Sequence, residues 1–147
     1  MPNESPGRCV SMPDVSLEEQ LKRTAAPLSS IRLLVLFGST ARGSDTPHSD
    51  VDVGVILENV SSRGDVETAL GRAADRPIEI VDLNDAPPQL RFEIARDGKI
   101  LIERVPYAWA DFRARAMLDW WDWAPTARMI HAAAIERLRL RTTHGPA

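Results

Sequence analysis

Apolar and polar positions change rhythm several times along the chain, and each rhythm predicts an element. Ser16-Leu17-Glu18-Glu19 is a capping box, in which the serine hydroxyl and the glutamate three residues on satisfy free amides of a first helical turn. A helix to about Ala26 follows, stopped by Pro27, which has no N–H to continue it. Ile31 to Phe37 is a short apolar run with the length of a buried strand. Gly38 to Ser49 is polar and turn-like, with a Thr40–Arg42 piece that begins a helix. Val51, Val53, Val55 and Leu57 alternate with Asp50, Asp52, Gly54 and Ile56, the period of a strand.

The second half reads in the same way. Val66, Ala69, Leu70 and Ala73 share one face of a helix over Asp65–Asp75. Ile78 to Leu83 is a third strand. Asn84 or Asp85 caps a helix that starts at Pro87-Pro88 and ends at Gly98, a residue suited to the C′ position. Lys99 to Val105 is a fourth strand, and from Pro106 the pattern is helical to about Arg141, with a break expected near Pro125. Residues 1–13, rich in Pro, Ser and Gly, read as a flexible leader, with Met12 as an alternative start. Residues 14–147 are expected to form a single domain, its C-terminal helices beginning at about 106.

Composition narrows the class. At 147 residues, 44% hydrophobic and 27% charged, the chain reads as globular rather than disordered. The longest apolar run, Leu33 to Phe37, is far short of the ~20 residues of a membrane span, and no signal peptide is recognisable, so a cytoplasmic protein is expected. A single cysteine, Cys9, excludes an internal disulfide and a cysteine zinc site. A net charge of −3 gives no global reason to expect direct nucleic-acid binding.

Chemistry concentrates between Leu36 and Val55. Gly38 and Ser39 follow a buried strand and precede a short helical piece. Such a turn offers free backbone N–H groups to an anion, and glycine allows close approach. The Ser39 hydroxyl adds a donor and Arg42 reaches the same anion. Asp50 and Asp52, two apart on a strand, send their carboxylates to the same face. Two such carboxylates repel unless a cation intervenes, and an all-oxygen set suits Mg²⁺. A phosphate cradle beside paired carboxylates is equipment for phosphoryl or nucleotidyl transfer.

Gly38-Ser39, ten intervening residues and then Asp50-x-Asp52 resembles the signature of the DNA polymerase β-like nucleotidyltransferase superfamily. Within it, the short chain resembles the minimal nucleotidyltransferase family, above all the antitoxin members paired with HEPN-domain ribonuclease toxins. The similarity continues through Val81–Pro88, Arg96–Leu101 and Asp122-x-x-Pro125, and so covers about Leu17 to Arg139. The resemblance implies an α+β fold: a mixed sheet of about four strands packed with helices, with a C-terminal helical segment. It implies Mg²⁺-dependent transfer of AMP from ATP to a protein hydroxyl, a tyrosine of a cognate HEPN toxin. Gly38, Ser39 and Arg42 would hold the phosphates, and Asp50, Asp52 and Glu79 would be the catalytic, metal-binding carboxylates.

Glu79 departs from the pattern, because the family's third carboxylate is usually Asp. The extra methylene moves the carboxylate by about 1 Å, a displacement able to cost about a hundredfold in rate. Asp82, three positions on, is expected on the opposite face of the strand from Glu79. The departure keeps a second reading open, a catalytically weak or inactive module that neutralises a toxin by contact. A small-molecule (antibiotic) nucleotidyltransferase is the third, disfavoured because no second domain is evident to enclose the substrate.

Six of the eight aromatic residues fall between Tyr107 and Trp123. Successive helical residues lie about 100° apart, so Trp120, Trp121 and Trp123 cannot share one face. They are either sheet-covering core or, in part, a surface for homo- or hetero-oligomeric contact. His48, His131 and His144 are expected to be solvated or structural.

Overall fold

The computed structural model describes residues 15–143; the expected leader, with Cys9 and Met12, and His144 lie outside them. The serine half of the capping box forms: the Ser16 hydroxyl accepts the Glu19 amide at 3.3 Å, opening α1 (Leu17–Ala25), while the Glu19 carboxylate accepts from Arg23 Nε at 3.2 Å. β1 (Ile31–Phe37) runs directly into the short helix α2 (Gly38–Arg42), and β2 (Val51–Leu57) follows. A 3₁₀ turn at Val60–Ser62 leads into α3 (Arg63–Ala74), which begins two residues earlier than its apolar face predicts. β3 (Ile78–Asp82), α4 (Pro88–Asp97), β4 (Lys99–Glu103) and α5 (Ala108–Thr143) complete the order.

The four strands form one mixed sheet in the order β3-β2-β1-β4. β1 pairs antiparallel with both β2 and β4, whereas β2 and β3 are parallel. A parallel pair needs a crossover, supplied here by α3. The apolar run Leu33–Phe37 of β1 follows from this arrangement, because the central strand is covered on both sides. Ile31, Leu34 and Leu36 pack with α1 and α3 residues, including Leu21, Val66 and Leu70. Leu33, Val35 and Phe37 pack with Ile94 and Ala95 of α4 and with Phe112 and Ala116 of α5. Arg104, just after β4, donates to the carbonyls of Ala25, Ala26, Leu28 and Ile31. It thereby closes the C-terminal end of α1, where carbonyls lack helical partners.

Several local expectations are corrected. No break occurs at Pro125: α5 is one helix of 36 residues, about 54 Å at 1.5 Å per residue. A proline removes a single helical hydrogen bond. Here Trp120 and Trp123 flank it with ring centroids 5.7 Å apart, and Trp120 stacks on Phe92 of α4 at 4.8 Å, which holds the helix through the defect. Neither Asn84 nor Asp85 caps α4. Its N-cap is Pro87, and Asp82 accepts the Asn84 amide at 2.9 Å in the preceding turn. Gly98 is extended (φ −65°, ψ 141°), not left-handed. Space dictates the glycine, since a Cβ would lie 2.5 Å from the Ile94 carbonyl and 2.7 Å from Val35 Cγ1.

Candidate active site

Two elements bring the central pair of carboxylates together. Asp52 near the start of β2 and Glu79 near the start of β3 are partners in the parallel ladder. Partners in register point to the same side of the sheet, and this is the side covered by α4 and α5, since Val81, two residues beyond Glu79, packs there. Both line a cleft of about 250 Å³ with Gly38 and Arg42 of α2 and with Leu90 and Glu93 of α4. Sequence reasoning places Gly38, Arg42, Asp52 and Glu79 at the site, and the fold gathers all four. Ser39 and Asp50 adjoin lining residues without forming the wall. Asp50 is exposed and precedes β2 rather than sharing its regular pleat. Asp82 is turned to the loop that it caps. Glu93 was not foreseen, and its one signal is its place on the α4 face next to buried Ile94.

Gly38 has φ +71°, the left-handed region that glycine enters without steric cost. The sequence suggests that a side chain here would intrude on a bound anion. In the fold the first obstacle is different: a Cβ would lie 2.2 Å from Asp52 Oδ2. The glycine therefore lets the α2 turn lie directly against the Asp52 carboxylate. The loop between α2 and β2 is held by Arg76, which donates to Asp45 Oδ2 at 3.0 Å and to the Thr46 carbonyl at 2.9 Å. His48 in this loop is exposed.

Electrostatics mark the same spot. Burial, then the negative charges of Glu79 and Asp50, push the Asp52 carboxyl above its ordinary value, and Arg42 opposes them. Arg42 lies 3.8 Å from Asp97, whose carboxyl is held low chiefly by its hydrogen bonds from Arg96. Among the described residues no group of three His, Cys, Asp or Glu side chains is close enough to form a ready-made metal cage. The cleft carboxylates nonetheless fit a hard divalent cation. They are oxygen donors, mutually repelling and only partly compensated, and Mg²⁺ completes its shell with substrate phosphates and water rather than with an all-protein cage.

The fold and cleft define a class. Residues 19–106 match the family described as Polymerase beta, Nucleotidyltransferase, and the chain belongs to that family. Among relatives, it is 31% identical over 78 residues to the protein adenylyltransferase MntA of Shewanella oneidensis, a stretch covering 50% of this chain and 55% of that protein. It is 29% identical over 116 residues to MntA of Aphanizomenon flos-aquae, covering 70% and 77% of the two chains. A toxin–antitoxin complex crystallised with AMP-PNP contains a chain of the same fold. The TM-score is 0.69 at 20% identity, with 80% of this chain and 98% of that one covered. A complex of tri-AMPylated S. oneidensis HEPN toxin with its MNT antitoxin matches with TM-score 0.63 at 18% identity, covering 80% and 98%. The mixed sheet with helices and the long C-terminal helix agree with the expected polymerase β-like fold.

Proposed function

We propose that this chain transfers AMP from ATP to a hydroxyl of a partner protein, a tyrosine of a cognate HEPN ribonuclease toxin, and so acts as the antitoxin of a cytoplasmic pair. The observation that carries the reading is the in-register pair Asp52–Glu79 beneath the left-handed turn at Gly38. The names of the relatives, protein adenylyltransferases, support it.

In this reading Gly38, Ser39 and Arg42 hold the β- and γ-phosphates. Asp50, Asp52 and Glu79 hold magnesium, which when bound neutralises phosphate charge and lowers the pKa of the attacking hydroxyl. The acceptor oxygen forms a bond to the α-phosphorus while the bond to the β-phosphate oxygen breaks, and pyrophosphate leaves. The proton of the acceptor passes to the cleft carboxylates, with Glu79, exposed at the cleft, helping to take it. Positioning and electrostatic stabilisation carry most of the acceleration.

The test is transfer of labelled AMP to the co-expressed partner. Glu79→Gln should reduce the rate by at least about a hundredfold while ATP binding survives. Glu79→Asp, which restores the family's shorter side chain, should keep or raise activity. Normal transfer by Glu79→Gln would remove Glu79 from the site. Neutralisation of the toxin by both variants, with no AMP on it by mass spectrometry, would favour the contact-only module instead. One feature speaks for that second reading: the outer half of α5 exposes Met129, Ile130, Leu138 and Leu140, an apolar surface suited to a partner.

A further inference from the structure

A second pocket lies on the same side of the sheet as the cleft, at the other end of β2. Ile56 lines it, and Asp52 lines the cleft. Four residues at about 3.3 Å each separate the two by about 13 Å. The volume of this pocket is about 160 Å³, and its wall includes Arg32, Arg91, Arg115, Asn84, Asp111 and Phe112. Three elements and the turn after β3, which holds Asn84, contribute these groups. Arg32 stands at the irregularity of β1 between Ile31 and Leu33, Arg91 on α4, and Asp111, Phe112 and Arg115 on α5.

With Arg91 paired to Asp119, the guanidinium groups of Arg32 and Arg115 face the single carboxylate of Asp111 and leave a cationic concavity on a chain whose net charge is −3. Arg91 is fixed. It donates to Asp119 Oδ2 at 2.7 Å and sits 5.7 Å from the centre of the Phe112 ring. Its Nε is buried and has no acceptor, which leaves a desolvated donor that an oxyanion can satisfy. Arg32 and Arg115 are exposed and form no salt bridge among the described residues. Their side chains are free to close on a ligand. Guanidinium groups bind phosphate oxygens in paired hydrogen bonds, and the Asn84 amide adds a further donor.

We propose that this pocket is a second ligand site, taking a compact phosphate-bearing anion. Free phosphate, the pyrophosphate released by nucleotidyl transfer, and the phosphate group of a nucleoside monophosphate share the required chemistry, and each of these phosphate groups is compact enough for the volume. The site is defined by its own residues and does not depend on the transfer reaction proposed above.

Calorimetric titration of the full chain with inorganic phosphate, pyrophosphate and AMP, each without divalent cation, tests it. At least one probe should bind with a dissociation constant below about 1 mM, and the tightest of the three identifies the source. Affinity should fall as salt is raised. Arg32→Gln combined with Arg115→Gln should weaken binding at least tenfold without lowering the melting temperature, since neither side chain holds the fold together. Arg91→Lys, which keeps the charge but loses the fork, should weaken it as well. Arg42→Ala, which disables the cleft at Gly38, should leave this binding in place. Three results would overturn the proposal: no probe binding below that limit, unchanged affinity in the Arg32/Arg115 double variant, or binding lost with Arg42→Ala alone.

Discussion

At the scale of single residues, Asp52 carries opposing demands. Burial and two like charges raise its carboxyl pKa, so ionising it costs more in the folded chain than in the unfolded one. A group with a raised acidic pKa takes stability away as pH climbs through and beyond its unfolded value, and returns it as pH falls. Asp52→Asn, neutral at every pH, should therefore raise the melting temperature of the ligand-free protein at pH 7. The gain should shrink toward zero as the solution is acidified below the ordinary carboxyl range, and transfer should be lost throughout. Thermal melts of both proteins from pH 3.5 to 7 decide the point; a variant less stable than the parent at pH 7 would contradict it. This is the exchange of stability for function expected of an active-site charge.

Among elements, the sequence was most legible where periodicity and capping chemistry act locally. Ser16 and Glu19 announce α1, and the alternation from Val51 announces β2. The Gly38-Ser39…Asp50-x-Asp52 spacing located two of the cleft residues, Gly38 and Asp52, and strand alternation separated Glu79, which lines the cleft, from Asp82, which caps the next turn. What escaped depends on distant partners. The passage of α5 through Pro125 rests on ring packing against α4. The reason for Gly98 is the approach of Val35 and Trp109, and Glu93 reaches the cleft only because α4 docks over the sheet. Arg104 belongs with these, since no local pattern reveals that it closes a helix some eighty residues earlier. Arg104→Ala should cost about 1–3 kcal/mol of stability, measured by urea denaturation, with Arg104→Lys recovering only part. No loss in the alanine variant would mean that solvent replaces the guanidinium without penalty.

For the whole molecule, the division of the Trp-rich region is informative. Trp109, Trp120 and Trp123 are part-buried, whereas Trp121 is 67% exposed. The core reading therefore holds for Trp109, Trp120 and Trp123, and Trp121 lies on the surface. Beyond Ala124, α5 carries Ile130 and Leu138, which stay mostly exposed in the isolated chain. Ile130→Glu with Leu138→Glu should leave the melting temperature within about 0.5 kcal/mol equivalent of the parent. Co-purification with the toxin should be lost. Retention of the complex would place the partner elsewhere on the molecule. No helix among the described residues is long and apolar enough to cross a membrane.

The strand order has a kinetic side. β3 is an edge strand of five residues, held to the sheet through β2 alone, and it carries Glu79 into a field of like charge. Edge segments with few buried contacts open locally at a free energy well below that of global unfolding. An opening of β3 would take Glu79 out of the cleft while β1 and β2 stay folded, and the make-up of the cleft would then vary independently of the fold. Amide hydrogens of Glu79 and Val81, which the parallel register turns toward β2, should exchange faster than those of Leu34 and Leu36, and ATP with Mg²⁺ should slow the former selectively. Equal protection across the sheet, with or without nucleotide, would show that the strand does not open on its own. If it does, nucleotide is itself the clasp that completes the sheet, and catalytic readiness is set by ligand concentration as well as by sequence.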